Sequence, residues 1–297
     1  MLERTNDTLP ALDLDILTRA SVERAWEGRQ ATVIWRGALG EGSTLLVKRS
    51  ARGEHLFEYG NRALFALDAA GERLACAPSE DGIAWQRVLL SKVLANVALI
   101  RGYEALHASA VQSPTGAVVV LASSGTGKTA LALALAHAGW PLLCDDILVL
   151  GPGPQGVRAH PGTPHLNADR HTVASQATRR LALVLGVLGE ELWLAARSST
   201  FTPCPVRAVC LLQRGPLLPL DVQHAPASPV ALMPYMLGLA DEDGRERRRF
   251  ELYSELMSHA GLIRISAGER HPPHVIAERL RAVLALDVTR ERVGALA

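Results

Sequence analysis

The stretch "AVVVLASSGTGKTALALALAHAGWPLLCDDILVL", residues 117–150, constrains the fold more than any other part of this chain. An unbroken apolar run meets a glycine-rich turn, then a helix-forming run, then a second apolar run that stops at two adjacent aspartates. Continuous apolar runs of this length read as strands buried on both faces, which places them inside an α/β layer structure. The turn reads Ala122-Ser123-Ser124-Gly125-Thr126-Gly127-Lys128-Thr129. That is the G-x-x-x-x-G-K-[ST] phosphate loop with alanine in place of its first glycine. In such a loop consecutive backbone N–H groups wrap phosphate oxygens, the lysine reaches the β- and γ-phosphates, and the hydroxyl ligates Mg²⁺. Ser123, Ser124, Gly125, Thr126, Gly127, Lys128, Thr129 and Ala130 are therefore the expected nucleotide-binding residues. Ala122 fits the first position provided its φ stays negative. The helix is expected from about Thr129 to His137, with Gly139 as its C′ residue and Pro141 beyond.

The flanks extend this unit in both directions. "EALHASAVQ" is expected to be a strand, followed by a turn at "SPTG" and by the strand entering the loop, which makes the two strands antiparallel neighbours. His107 lies on the first of them. Asp145 and Asp146 follow the loop after only one helix and one strand, so the strand carrying them can lie adjacent to the loop. One carboxylate beside Mg²⁺ stays ionised; the other, next to a like charge, can take a proton from a hydroxyl. Thr129 and Asp145 are the expected metal-side residues.

Residues 1–95 differ in character. "ATVIWRG", "STLLVKR", "HLFEYG" and "ERLACAP" are short β-type runs between turns, and residues 86–101 repeat apolar side chains at helical spacing. Further on, 170–190 carries a helical apolar pattern, 206–215 a buried strand, "RERRRFELYSELMSHAG" an amphipathic helix, "LIRIS" a strand and "HVIAERLRAVLALD" a closing helix. The reading is α/β: a small β-rich N-terminal domain over 1–85, then a phosphate-loop domain over 86–297 with a mixed central sheet flanked by helices. Arg245–Arg249 reads as a solvated helix face. Arg158, His160 and His165 border a turn-rich segment that can line an acceptor pocket. Arg207 and Arg214 bracket the 206–215 strand, and either can offset phosphoryl charge. Trp35, Trp85, Trp140 and Trp193 read as core.

Composition narrows the partners. A net charge of +1 points to neither a nucleic-acid nor an acidic-membrane partner, and 48% hydrophobic residues support a substantial core. The four cysteines have no C-x-x-C spacing and read as buried free thiols, which fits a reducing compartment. The N-terminal residues lack the apolar stretch of a signal peptide, and no apolar run is long enough to span a membrane, so a cytoplasmic location is expected.

His107, the phosphate loop and "CDD" together resemble the catalytic domain of the HPr kinase/phosphorylase family, with the likeness best over residues 103–150. Members of that family have a His about twenty residues ahead of the loop, and a helix, an apolar strand and an A-D-D element after it. The resemblance implies ATP and Mg²⁺ as cofactors, with Lys128 and Thr129 holding phosphates and metal. It also implies that Asp145 and Asp146 divide metal support and general-base duty while His107 assists at the transferred group. The implied acceptor is a serine hydroxyl on a peptide or small protein, as among relatives that tailor ribosomally made peptides, and the implied assembly is a homo-oligomer. Domain layout makes residues 1–85 the expected acceptor-recognition element. Three other readings stay open: an ATPase or nucleotide switch without an acceptor, a kinase of a small hydroxylated metabolite, and a binding module with a vestigial nucleotide site.

Overall fold

The computed structural model describes residues 11–38, 43–79, 82–154, 156–169, 182–238 and 245–294. These form two compact units, one drawn from Thr8–Ala105 and Leu237–Arg247, the other from Leu106–Met236 and Arg248–Ala297.

In the first unit β1 (Asp13–Ile16), α1 (Arg19–Trp26) and β2–β6 (Ala31–Ala38, Thr44–Ser50, His55–Tyr59, Ala63–Leu67, Arg73–Pro78) precede α2 (Ala84–Val88) and α3 (Leu94–Ile100). The strands make one sheet in the order β1-β6-β5-β4-β3-β2, a meander of hairpins closed by β1 running parallel to β6. Alternation along β3, β4 and β5 sends Leu45, Val47, Phe57, Phe65 and Leu67 to one face, where α2, α3 and the π-helical turn Leu89–Val93 between them contribute Val88, Leu89, Val93 and Val97. The apolar stripe over 86–101 is thus spent on this sheet. For that reason the first unit runs to Ala105, past the expected boundary at residue 85. Arg245, the first residue of the Arg245–Arg249 cluster, is buried here rather than solvated. It lies 3.6 Å from the buried Glu104 and donates to the carbonyls of Leu99 and Tyr103. Arg247 and Arg248 are exposed, as expected.

The chain leaves through β7 (Glu104–Leu106) into β8 (Ser109–Ser113), β9 (Gly116–Leu121), α4 (Lys128–His137), β10 (Leu142–Cys144), β11 (Leu148–Gly153), β12 (Gly156–His160) and β13 (His165–Asp169). After β14 (Ala182–Leu188) and β15 (Glu191–Ala196) come β16 (Cys204–Gly215), β17 (Asp221–Ala225), α5 (Arg245–His259), β18 (Gly261–Gly268) and α6 (Pro273–Gly294). The central sheet runs β10-β8-β9-β16-β12-β11, with β18 joined to β16 and β17 to β18. It is mixed: β9, β16 and β18 are parallel, while β8 is antiparallel to β9. Helices cover both faces. Val118, Val120, Cys210 and Ile263 pack with Leu131 and Leu135 of α4 and Ile276 and Leu280 of α6, while Val119, Leu121, Val209 and Leu262 pack with Tyr253 and Leu256 of α5. The uninterrupted run Ala117–Leu121 is what a strand covered on both sides requires.

The 170–190 segment corrects one expectation. Residues 182–188 are a strand, paired with β15 in a three-stranded sheet β13-β15-β14, and the rest of the pattern up to 181 falls outside the described residues. β-branched Val184 and Val187 within a short run outweigh an apparent helical period. All four cysteines are free and buried. Trp140 and Trp193 are buried, and Trp35 and Trp85 pack against the core of the first unit. Among the described residues no helix is long and apolar enough to cross a membrane.

Candidate active site

The site forms where β9 ends. Gly125 and Gly127 take φ of 75° and 103°, a left-handed backbone that glycine enters without a Cβ penalty, and Thr126 N–H donates to Ser123 O at 3.2 Å to fold the turn. Ala122 is fully buried with negative φ, so its methyl group is accommodated without strain. Ser123, Ser124 and Gly125 are exposed at the rim. Lys128 opens α4, whose N-terminal amides and dipole face the loop. At the far end of α4 a Schellman arrangement closes the helix, with Gly139 N–H donating to Ala136 O and Trp140 N–H to Leu135 O, both at 3.1 Å.

Lys128 is buried and its Nζ donates to Ala122 O at 2.9 Å. Burial holds its pKa below the usual lysine range, against the pull of Asp145 and Asp146. Asp145 is the hub of the site. Thr129 Oγ1 is 3.0 Å from both its carboxylate oxygens, Ser109 Oγ donates to Oδ1, and Asn167 N–H donates to Oδ2 at 3.3 Å. Burial pushes the Asp145 carboxyl up to about 6, the Asp146 charge adds to this, and the hydrogen bonds from Ser109, Thr129 and Asn167 oppose it.

Asp146 has a φ of 68°, the one positive value among the described non-glycine residues. Ile147 N–H donates back to Asp145 O at 2.8 Å, closing a three-residue turn around it. A residue held there costs energy that the surroundings must supply. The turn directs the Asp146 carboxylate toward His107, whose Nδ1 is 3.0 Å from Asp146 Oδ1 and 3.0 Å from Asp146 O. His107 is itself held by its N–H on Tyr235 O at 2.7 Å. It sits in the break between β7 and β8 rather than within a strand, which frees its ring from sheet alternation.

Sheet order refines the neighbourhood of the loop. β8 lies between β9 and β10, so the strand carrying the aspartates is not adjacent to the loop strand; Asp145 reaches the loop through its bond to Thr129. Of the two arginines near the ends of β16, Arg207 lies beside Gly116 at the start of β9, remote from the loop, whereas Arg214 lies at the loop end. Arg158 donates to Pro203 O at 2.7 Å and His160 is buried with its pKa depressed to about 4 by burial, so both belong to the packing of β12. His165 stacks on Trp193 at 4.7 Å between ring centroids. The sequence reading missed Ser109 and Asn167. Ser109 could have been found, since it follows His107 by two residues on the strand pairing with β9; Asn167 acts through its backbone, which no side-chain signal reveals.

The residues present fit Mg²⁺ with a nucleotide. Thr129 Oγ1 and Asp145 offer hard oxygen donors beside a phosphate cradle, and Mg²⁺ binds through few protein ligands while keeping water. Among the described residues no group of three or more His, Cys, Asp or Glu side chains forms a metal cage.

No protein-family model and no curated protein matches the chain. Among solved structures it is similar to the Hpr(Ser) kinase/phosphatase from Coxiella burnetii, at 13% identity, over 64% of this chain and 96% of that one, with a TM-score of 0.39.

Proposed function

We propose that this chain is an ATP-dependent kinase that transfers the γ-phosphoryl group to a hydroxyl, a serine on a peptide or small protein. One observation carries the reading: a His107–Asp146 pair stands beside a carboxylate already bonded to the phosphate-loop threonine. A nucleotide-binding loop alone needs no second carboxylate held at a strained backbone position with its own histidine.

The donors divide the work of the two aspartates. Asp145 accepts from Thr129, Ser109 and the Asn167 amide, which supports the ionised, metal-side role. Asp146 meets His107 instead and is the proposed base. Magnesium, when bound by Thr129 and Asp145, supplies positive charge to the phosphates. Lys128 exchanges Ala122 O for phosphate oxygen, and the amides at the start of α4 hold the rest of the phosphate chain. Asp146 takes the proton of the acceptor hydroxyl as its oxygen bonds to the γ-phosphorus. The bond from that phosphorus to the bridging oxygen breaks, and ADP leaves with the electron pair. His107 holds the Asp146 carboxylate in place.

The β-rich unit is the proposed acceptor-recognition element, because β2 ends its sheet as an edge strand with which an extended peptide can pair. Substitutions along β2 should raise KM for a peptide acceptor and leave that for ATP unchanged.

The test is transfer of label from γ-labelled ATP to serine-containing peptides. Asp146→Asn should lower transfer by about 10²–10⁴-fold with nucleotide binding retained. ATP hydrolysis at a steady rate indifferent to any acceptor, and equal in wild type and Asp146→Asn, would overturn the reading in favour of a hydrolase or switch.

A further inference from the structure

We infer that Arg214 is a second fixed cation of the nucleotide site and binds the phosphates that are not transferred. The inference rests on the proposed nucleotide-dependent reading and adds to it the direction in which the nucleotide lies across the loop.

Sheet order sets that direction. The loop leaves the end of β9, which has β8 on one side and β16 on the other. On the β8 and β10 side stand Ser109, His107, Asp145 and Asp146, the groups suited to a metal and an acceptor hydroxyl. Arg214 is near the end of β16, a strand parallel to β9 that pairs with it up to Leu121 and continues beyond, so Arg214 projects past the end of β9 at the level of the loop. A Cβ built on Gly127 would lie 3.9 Å from Arg214 Cδ, so the arginine stem runs against the glycine that precedes the phosphate-loop lysine. Carboxylates and arginine therefore straddle the loop.

The arginine is also preorganised. Its Nη2 donates to the carbonyls of Gly268 at 3.0 Å, Glu269 at 3.2 Å and His271 at 3.0 Å, in the turn that ends β18. His271 Nδ1 in turn accepts from Gly268 N–H at 3.0 Å, which fixes the turn. One nitrogen satisfies the carbonyls, leaving the other edge of the guanidinium fork for an anion. A guanidinium whose Nη2 shares its two N–H groups among three backbone carbonyls loses little freedom on meeting phosphate. With the reacting end of the triphosphate directed to Asp145 and Asp146, the chain of phosphates runs back over Gly127, and Arg214 meets the β- or α-phosphate.

ADP and a non-hydrolysable ATP analogue separate this from the alternatives, using the full-length chain and calorimetry. Arg214→Ala should weaken both ligands by the same factor, about 10- to 100-fold, because the contact is to phosphates that both share. Arg214→Lys keeps a cation at the site and should restore part of that loss, while melting temperatures without ligand that match wild type separate a lost phosphate contact from a disturbed turn; Arg214→Lys also serves if Arg214→Ala fails to fold. Unchanged affinity in Arg214→Ala overturns the assignment, as does a loss confined to the ATP analogue, which would place Arg214 on the transferred group. No recovery of ADP affinity in Arg214→Lys, where Arg214→Ala has folded, overturns it too. Wild-type chain that binds ADP but phosphorylates no acceptor would sink the kinase reading and leave the assignment of Arg214 standing.

Discussion

Replacing Asp145 by asparagine offers a measurement of what holding a desolvated carboxylate costs the folded chain. The Asp145 carboxyl rises from 3.8 to about 6 on folding, mainly through burial. A raised acid binds its proton more tightly in the folded state, so its contribution to stability is full below the unfolded pKa and is lost as pH rises through about 6. The shift corresponds to ~3 kcal/mol between pH ~4 and pH ~8. The neutral amide of the Asp145→Asn variant has no such dependence. The variant also loses some of the hydrogen bonds accepted from Ser109, Thr129 and the Asn167 amide, a cost that does not vary with pH. The quantity to follow is therefore the difference in unfolding free energy between Asp145→Asn and wild type, from urea titrations at a series of pH values without nucleotide. That difference should move in favour of the variant by about 1–3 kcal/mol as pH rises from ~4 to ~8, because the ionisations common to both proteins largely cancel. A difference that stays flat across the series would refute the claim that Asp145 is held against its charge.

Three further outcomes follow from the same geometry. Ser109→Ala removes a donor that stabilises the ionised Asp145, so its carboxyl should titrate higher still and the acid limb of phosphotransfer should move to higher pH; an unmoved limb would detach Ser109 from the chemistry. Gly127→Ala forces a side chain into a φ of 103°, at a cost of about 1–2 kcal/mol, and should weaken nucleotide binding more than it lowers the unfolding midpoint, as calorimetry and thermal melts would show. Arg245→Ala leaves the buried Glu104 carboxylate without that cation and should destabilise the first unit by about 3–5 kcal/mol in denaturant unfolding; a loss under ~1 kcal/mol would mean that water screens the pair.

The parts of the molecule readable in advance are those governed by local chemistry. Glycines at 125 and 127, the lysine and threonine that open α4, and the Gly139 cap each follow from what a backbone conformation demands, so they needed no tertiary information. Strand identity for 117–121 was equally legible, because burial on both faces leaves no polar position. Partnership was not. Nothing in "HASAV" says that β8 will stand between the loop strand and β10, so that Asp145 meets the loop through Thr129 rather than by strand pairing. Residues 86–101 gave their helical character away, but a stripe of apolar side chains does not state which sheet it covers, hence the misplaced boundary. Arg245 among its charged neighbours looked like them until the buried Glu104 and the carbonyls of Leu99 and Tyr103 were in place.

The lysine bonded to Ala122 O gives the loop a ligand of its own. With its ammonium turned onto a carbonyl of the same turn, the cradle is self-occupied, and any anion entering must compete with that internal contact. A lone inorganic phosphate offers little to offset the exchange, whereas a polyphosphate that also meets the helix amides and Thr129 offers several contacts at once. On the proposed nucleotide reading, a single side chain thus sets a threshold against small anions, and discrimination begins before any base or sugar is touched.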